Sequence, residues 1–481
     1  MQKRQLRLRL SLFFVLIATL LAACGDNTAT TTSATTAPAS ATTAAGAATT
    51  ASGAATTAAG AATTAAGTAT TAAASTGGTG TIKVWFPGNS QAEMDVVTKK
   101  LAPAFEQANP GVKVNIEFVD WGNISTKLNT AFAGGTAPDV FGHGVAATAG
   151  FASNDRLLPI DNYLQKWDPK MISDFGTLLD QGKYNGKHYS VPIRGDARLI
   201  AYRTDLFTEV GLDPAKPPTN WQEFTAAAQK LTKKSGSRID RSGFLFSTTA
   251  DQGLQQVFLT FLTEAGGSQM NADLTKLTWN SPEGVKALQY MIDTYNGPNA
   301  VATGLGENYG SLAPNQQPLV TGRTAMAIVD PGTLGAIRTA SPDIYSKIAV
   351  MPPLKDVKQT AFGGAGTVLF INKDTKNPDL AWKFIDFMNQ DSTLEDYLPA
   401  NGGFPMRTSL LNSELVTTKV PYFKPFVQDI PYYVGNPNIP TWTQVRDVLV
   451  RYLDKAMHGT LSAKDALDQA TAEGQAIIDK K

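Results

Sequence analysis

Residues 81–141 read TIKVWFPGNSQAEMDVVTKKLAPAFEQANPGVKVNIEFVDWGNISTKLNTAFAGGTAPDVF, and this stretch decides the fold. Strand-like apolar runs lie at 82–86, 112–118 and 139–141, and stretches with helical spacing lie between them at 97–105 and 124–133. This β-α-β-α-β order predicts an open α/β sheet with right-handed crossovers. In such a sheet ligands bind beyond the carboxyl ends of the strands, so the loops after the strands matter most for a site.

Further α/β units follow along the chain. Residues 285–295 keep helical spacing behind Ser281, a predicted N-cap, and Pro282 in the first turn. Buried strands are predicted at 325–329 and 368–371, and a one-sided apolar pattern predicts a helix at 378–388. Because a single core rarely grows beyond about 250 to 300 residues, the roughly 400 residues of this kind fit two lobes.

The first 24 residues have the features of a signal peptide. Basic residues from Lys3 to Arg9 precede the apolar run Leu10 to Ala23, which would span only about 21 Å as a helix, against roughly 30 Å for a bilayer core. A transmembrane anchor is therefore the weaker alternative. Cys24 is the only cysteine of the chain, and its place after Leu-Ala-Ala resembles a bacterial lipobox. We expect lipid attachment at Cys24; the alternative is an incidental cysteine after an ordinary signal peptide.

Residues 25–80 are predicted to form a disordered tether. From Thr28 to Gly80 the chain has no charged and no large apolar residue, only Thr, Ala, Ser, Gly and one Pro. Such a segment buries too little apolar surface to offset its ordering entropy of about 1 to 2 kcal/mol per residue. About 50 flexible residues span near 40 Å, enough to hold a folded domain away from a membrane surface.

Charge and motif content exclude several classes of function. Without the four basic residues of the signal segment, 38 basic residues stand against 41 acidic ones, so there is no basic footprint for nucleic acid. The chain has no Gly-x-Ser-x-Gly, Walker or His-Glu-x-x-His motif, and its three histidines, His143, His188 and His458, are widely spaced. We therefore expect no enzyme, no metal and no cofactor.

A series of short motifs from Thr81 onward resembles family 1 of the bacterial extracellular solute-binding proteins, the maltose-binding-protein-like, sugar-binding lipoproteins of ABC transporters. The resemblance runs nearly the whole length of the folded part, and the order of the motifs makes it specific. The motifs are FEQANPGV (105–112), AGGTAPDV (133–140), LLPID (157–161), YNGK (184–187), YSVP (189–192), YRTDLF (202–207), GRTAM (322–326), AWKF (381–384) and GFP (403–405).

The resemblance implies an α/β fold of the two-lobed periplasmic-binding-protein type (type II), each lobe an open mixed sheet flanked by helices, with the ligand cleft between the lobes. The predicted N-terminal lobe comprises 81–194 plus 365–402, and the predicted C-terminal lobe 195–364 plus 403–481. Chain crossings between the lobes are expected near 194–197, 361–364 and 401–403, where glycine suits dihedrals that change on closure.

A sugar ligand needs carboxylates or amides for paired hydrogen bonds and aromatic rings for stacking. Asp139 follows the Ala-Pro motif, where the family places a cleft carboxylate, although it could instead cap a turn. The motif after the Ala-Met strand departs from the family, since Asp330-Pro331-Gly332 replaces the usual Gly-Ser-Trp. This departure argues against a maltose-like ligand. The predicted ligand-binding residues are Trp85, Asn89, Trp121, Asp139, His143, Arg194, Asp196, Asp330, Gly364 and Trp442.

The resulting interpretation is a lipid-anchored, extracellular or periplasmic binding protein of an ABC importer. It would capture a carbohydrate by closure of its lobes and deliver it to the permease subunits, as a monomer attached to the cell membrane through Cys24. Other small solutes remain alternatives, among them sugar phosphates, polyols and peptides. A secreted carbohydrate-active enzyme and a surface interaction module are further alternatives.

Overall fold

The computed structural model describes residues 79–480, so Cys24 and the predicted tether lie outside the described part. No helix within residues 79–480 is both long and apolar enough to cross a membrane. The strands are β1 (Gly80–Pro87), β2 (Val112–Val119), β3 (Val140–Gly144), β4 (Lys183–Tyr184), β5 (Lys187–His188), β6 (Ser190–Pro192), β7 (Gly195–Ala197), β8 (Leu199–Arg203), β9 (Lys233–Ser235), β10 (Arg238–Leu245), β11 (Thr324–Val329), β12 (Ile348–Met351), β13 (Ala361–Ala365), β14 (Thr367–Ile371) and β15 (Tyr433–Val434).

The α-helices lie between these strands, except for the last two, which follow β15, and a π-helical segment, Val97–Leu101, joins the first two helices into one element. They are α1 (Gln91–Val96), α2 (Ala102–Ala108), α3 (Ile124–Ala133), α4 (Thr148–Ser153), α5 (Asp161–Leu164), α6 (Pro169–Asp174), α7 (Thr204–Glu209), α8 (Trp221–Leu231), α9 (Gln252–Glu264), α10 (Pro282–Tyr295), α11 (Pro318–Thr321), α12 (Pro331–Ala340), α13 (Pro342–Tyr345), α14 (Pro378–Met388), α15 (Asp391–Asn401), α16 (Phe423–Gln428), α17 (Trp442–Met457) and α18 (Ala463–Ile478).

The first sheet has the strand order β2-β1-β3-β14-β6. Strand β1 pairs in parallel with β2 and β3, whereas β14 is antiparallel to both β3 and β6. The β-α-β-α-β prediction is thus confirmed, and the later antiparallel strands make the sheet mixed. Since β1, β2 and β3 are parallel, their carboxyl ends share one edge of the sheet, where the following loops meet.

The second sheet has the order β12-β8-β11-β10-β9 and is also mixed, with β10 and β11 parallel. The predicted strand at 325–329 and the helix at 285–295 are both confirmed in this half of the molecule. Ser281 caps α10 as predicted, because its hydroxyl accepts the Gly284 N–H at 3.3 Å.

A third, smaller sheet of order β15-β13-β7 joins the two halves. Strand β7 lies in the chain between β6 of the first sheet and β8 of the second, and β13 lies between β12 of the second sheet and β14 of the first. The two strands pair antiparallel, and β15 adds in parallel to β13. The chain therefore crosses between the sheets at adjacent, hydrogen-bonded positions.

The buried apolar residues form two clusters, one around each large sheet. The first contains β1, β3 and β14 and the inner face of α14, and the second contains α8, α9, α10 and α17. The stretch from Phe404 to Val427, assigned to the C-terminal lobe by the sequence analysis, packs in the first cluster together with Leu319, Val329 and Leu334. This stretch therefore lies at the boundary between the two cores.

Candidate functional site

A cavity of about 390 Å³ lies where the small joining sheet meets the edges of both lobes, and we call it the interlobe cavity. The first lobe contributes the loop after β2 and the end of β3, and the second lobe contributes the first turns of α9. Its lining residues are Trp121, Gly144, Val145, Ala146, Gln181, Arg194, Asp196, Arg198, Gln252, Gln256, Phe362, Gly363, Gly364, Ala365, Gly366, Gly435, Asn436 and Asn438.

One wall of this cavity carries three charged side chains at alternate positions, Arg194, Asp196 and Arg198. They flank and include β7, and in an extended chain residues i, i+2 and i+4 point to the same side. Gly195 faces the other side, where an added Cβ would come within 2.3 Å of the Phe404 ring. The extended backbone therefore turns all three charges toward the cavity.

Asp196 and Arg198 form an ion pair, with 2.7 Å between Nη1 and Oδ1. Burial alone would raise the pKa of Asp196, but the positive charges of Arg198 and Arg194 outweigh it and hold the pKa below its ordinary value. Asp196 is thus a carboxylate whose remaining oxygen can accept hydrogen bonds from hydroxyl groups of a ligand.

Strand β13 forms the adjacent wall with its glycines. Gly364 pairs with Asp196 across the joining sheet and has a φ of +134°, a conformation that favours glycine. The side chain of Gln181 lies against it, because an added Cβ would be 3.1 Å from both the oxygen and the nitrogen of the amide. Gln181 also accepts the Ala365 N–H through Oε1 at 3.1 Å. The glycine thus lets a polar amide approach the backbone at the cavity.

Five amide side chains that were not predicted as ligand-binding residues line the cavity, namely Gln181, Gln252, Gln256, Asn436 and Asn438. Gln256 is only 6% exposed, and its Oε1 has no hydrogen-bond partner within residues 79–480. A buried amide without a partner costs free energy, which a ligand hydroxyl could recover. Gln252 and Gln256 lie one turn apart on α9, a spacing that any helix surface shows, so the sequence held no specific signal for them.

Trp121 follows β2 and lies at the mouth of the cavity with 36% of its surface exposed. Its ring meets His143 edge to face at 6.0 Å. His143 itself lines a second cavity of about 350 Å³, which shares Ala146 with the first. His143 hydrogen-bonds Ser125 at 2.9 Å, and burial, with a smaller contribution from Arg446, lowers its pKa to about 4. His143 is therefore neutral at pH 7, and it lies beside the interlobe cavity with its ring hydrogen-bonded to Ser125.

Asp330 lies at the carboxyl end of β11 and lines a smaller cavity of about 200 Å³, to which Arg198 also contributes. Its carboxylate accepts the Thr333 N–H at 2.8 Å and so caps α12. Asn89 is exposed in the loop after β1 and donates to Asp120 at 3.0 Å; it is not among the residues that line the cavity.

Three of the predicted site residues, Asp139, Trp85 and Trp442, do not line the interlobe cavity. Asp139 precedes β3 and so lies at the amino end of the strand, where its carboxylate accepts the Lys83 N–H at 2.8 Å and the Thr375 hydroxyl at 2.5 Å. Trp85 lies within β1 under the Lys127 ammonium, 4.6 Å from the ring centre. Trp442 is 1% exposed in the second core. In each case the strand direction or the packing of a helix, which local sequence does not report, decides the placement.

The described residues contain no group of three or more histidine, cysteine, aspartate or glutamate side chains arranged to hold a metal ion. Of the predicted set, the interlobe cavity brings together Trp121, Arg194, Asp196 and Gly364. The cavity presents one acceptor carboxylate, two guanidinium groups, several amides and the accessible ring of Trp121.

The chain is similar in sequence and in structure to bacterial binding proteins. A binding protein of Brucella abortus (strain 2308) is 24% identical over 386 residues, covering 79% of this chain and 90% of its own. The sn-glycerol-3-phosphate-binding periplasmic protein of Salmonella typhimurium is 24% identical over 432 residues, covering 83% of this chain and 92% of its own. An ABC transporter solute-binding protein of Thermotoga lettingae, solved with α-D-tagatose, superposes with a TM-score of 0.72 at 26% identity, covering 83% of this chain and 99% of its own.

The family model described as bacterial extracellular solute-binding protein matches residues 88–393, which is more than half of the chain. The matched range includes every strand of the two large sheets except β1, which ends at Pro87, together with the two crossing strands β7 and β13 and most residues of the interlobe cavity. On this evidence the chain belongs to the bacterial extracellular solute-binding protein family.

Proposed function

We propose that this protein is the solute-binding component of an ABC import system and that it captures a carbohydrate or polyol in the interlobe cavity. The observation that carries the proposal is the convergence of polar groups from both lobes and from the crossing strands on one cavity. Asp196 and the buried Gln256 suit ligand hydroxyls, and the accessible ring of Trp121 suits the apolar face of a sugar.

Capture would proceed by closure of the lobes about the joining sheet. Ligand stabilises the closed form only to the extent that it binds that form more tightly than the open one. Groups from both lobes, such as Trp121 and Gln256, can contact one ligand together only when the lobes are close. The permease would then distinguish loaded from empty protein by the relative position of the lobes.

Attachment to the membrane through Cys24 is part of the proposal, and it rests on the basic and apolar segments that precede this cysteine. Diacylglycerol on Cys24 would stabilise membrane attachment by about 0.8 kcal/mol per buried CH₂. We expect the wild-type chain to fractionate with membranes and Cys24→Ser to be released into the soluble fraction. Membrane retention of Cys24→Ser would contradict lipid anchoring at this residue and leave the binding function open to separate test.

The binding function is tested by thermal-shift screening of the chain without residues 1–24 against sugars, polyols, sugar phosphates, amino acids and peptides. A single-site ligand at 100 times its Kd stabilises the folded state by about 2.7 kcal/mol. A carbohydrate or polyol should stabilise the protein, and small-angle scattering should then report a smaller radius of gyration. Stabilisation by peptides or amino acids alone contradicts the carbohydrate assignment, and turnover of a sugar contradicts the binding role.

A further inference from the structure

The interlobe cavity contains an arginine, Arg194, that forms no salt bridge with any carboxylate of residues 79–480. Arg194 donates from Nε to the Thr367 hydroxyl at 2.8 Å, and no carboxylate oxygen of residues 79–480 lies within 4.0 Å of its nitrogens. Its stem is held from the other side, since an added Cβ on Gly403 would be 2.7 Å from both Cβ and Cδ of Arg194. The fixed stem leaves the two terminal nitrogens, with four N–H groups, for a group inside the cavity.

The neighbouring charges do not neutralise this arginine. Asp196 already pairs with Arg198 at 2.7 Å, so the three charged residues of the wall sum to one positive charge. The carboxyls of Asp330 and Asp251 act on Arg198, whose pKa they raise. Glu93, which lies near Arg194, is 4% exposed and accepts from the Tyr397 hydroxyl at 2.8 Å and the Asn401 amide at 2.6 Å. Burial raises the pKa of Glu93, and the positive charge of Arg194 opposes this only in part. The carboxylates of Asp196 and Glu93 thus have partners other than the terminal nitrogens of Arg194.

Two further groups of the cavity can accept hydrogen bonds from ligand hydroxyl groups. Gln256, 6% exposed with an unpartnered Oε1, lines the same cavity from the second lobe, and an amide oxygen accepts from hydroxyl groups. The free oxygen of Asp196 accepts similarly. A ligand that satisfies all three residues has one acidic group and several hydroxyl groups.

We propose that the ligand is an anionic carbohydrate, whose carboxylate or phosphate is bound by the terminal nitrogens of Arg194 while its hydroxyl groups bind Asp196 and Gln256. This inference rests on the proposed function and narrows it from carbohydrates in general to those with an acidic group. The planar guanidinium matches both carboxylate and phosphate through paired N–H···O bonds, so the two acids are distinguished by experiment.

The test is isothermal titration of the chain without residues 1–24 with matched pairs that differ only in the acidic group. The pairs are D-glucuronate and D-glucose, D-galacturonate and D-galactose, glucose 6-phosphate and D-glucose, and glycerol 3-phosphate and glycerol. We expect the acid of at least one pair to bind at least about 30-fold more tightly than its neutral partner. A carboxylate pair or a phosphate pair giving that result identifies the acid.

Arg194→Gln should remove this preference for the acid and raise its Kd by about 30-fold or more, with unchanged affinity for the neutral partner. Arg238→Gln is the matched control, since Arg238 has a side chain that is 78% exposed at the start of β10, far from the cavity. Circular dichroism of both variants establishes that they fold, and the wild-type pairs decide the question even if Arg194→Gln does not fold.

Three results would overturn the inference. The inference is contradicted if the neutral sugars bind as tightly as the corresponding acids. It is also contradicted if Arg194→Gln keeps the wild-type preference for the acid. Both results leave the proposed function intact. Binding of none of these compounds, combined with no stabilisation by any carbohydrate in the thermal-shift screen, would contradict both the inference and the proposed function.

Discussion

Gly364 is a residue of the cavity where a single added methyl group should lower stability, because both its backbone conformation and its surroundings require glycine. Its φ of +134° lies outside the regions open to residues with a Cβ, and the Gln181 amide is 3.1 Å from the place that a Cβ would occupy. Gly364→Ala therefore strains the backbone of β13 and displaces the amide that accepts the Ala365 N–H.

The magnitude follows from these two effects. A residue held in a sparsely populated backbone conformation costs about 1 to 3 kcal/mol. Loss of the hydrogen bond from Ala365 to Gln181 adds about 1 kcal/mol. We expect Gly364→Ala to lower the free energy of unfolding by about 2 to 4 kcal/mol.

The assay is urea unfolding followed by circular dichroism, with Gly144→Ala as the matched control. Gly144 lines the same cavity, but its φ of −64° suits alanine and an added Cβ meets no atom within 4 Å. The control should be unchanged or more stable by up to about 1 kcal/mol. Wild-type stability in Gly364→Ala, or an equal loss in Gly144→Ala, would refute the reasoning.

Two further predictions concern Trp442 and Trp121 as a pair, and His143. Trp442→Ala should lower the free energy of unfolding by about 3 to 5 kcal/mol, because Trp442 is 1% exposed in the second core. Trp121→Ala should instead weaken carbohydrate binding up to about tenfold, with stability nearly unchanged. Calorimetric unfolding measures the first effect and isothermal titration the second, and equal losses of stability in the two variants would contradict the assignment. Burial lowers the pKa of His143 to about 4, whereas the same side chain in the unfolded chain has a pKa near 6.5. As pH falls, the unfolded state therefore binds the proton first. The free energy of unfolding should decrease by about 3 kcal/mol between pH 6.5 and pH 4. His143→Gln should remove this part of the pH dependence of urea unfolding. The control His458→Gln, at an exposed histidine, should leave the pH dependence unchanged. A wild-type pH profile in His143→Gln would contradict the role of burial.

Much of the fold could be predicted because its signals are local. The alternation of residues in β2 and the helical spacing in α10 and α14 each lie within a single element, and the structure confirms these elements. The glycine-rich crossing segment at 361–364 was likewise visible in the sequence, since glycine has to be encoded where the backbone needs it. The antiparallel insertion of β14 beside β3 had no local signal, because it depends on pairing with a strand more than 200 residues earlier in the chain.

The candidate site was only partly predictable. Arg194 and Asp196 were identified because they lie at a crossing, and Trp121 because it follows a strand. Gln181 and Gln256 were missed, since an amide in a helix or turn carries no sign of the cavity it faces. Lipid attachment at Cys24, which lies outside the described residues, stays a prediction.

The sequence by itself determined the order of strands and helices, the placement of the charged residues at alternate positions around β7, and the family resemblance. Only the tertiary structure decided which side chains reach the interlobe cavity. It bonded the Asp139 carboxylate to Lys83 and Thr375, buried Trp442 in the second core and left Arg194 without a salt bridge to any carboxylate of the described residues. The physical reason is that periodicity is encoded over two to four residues, whereas a cavity is formed by segments from both lobes that meet only when the two cores pack together.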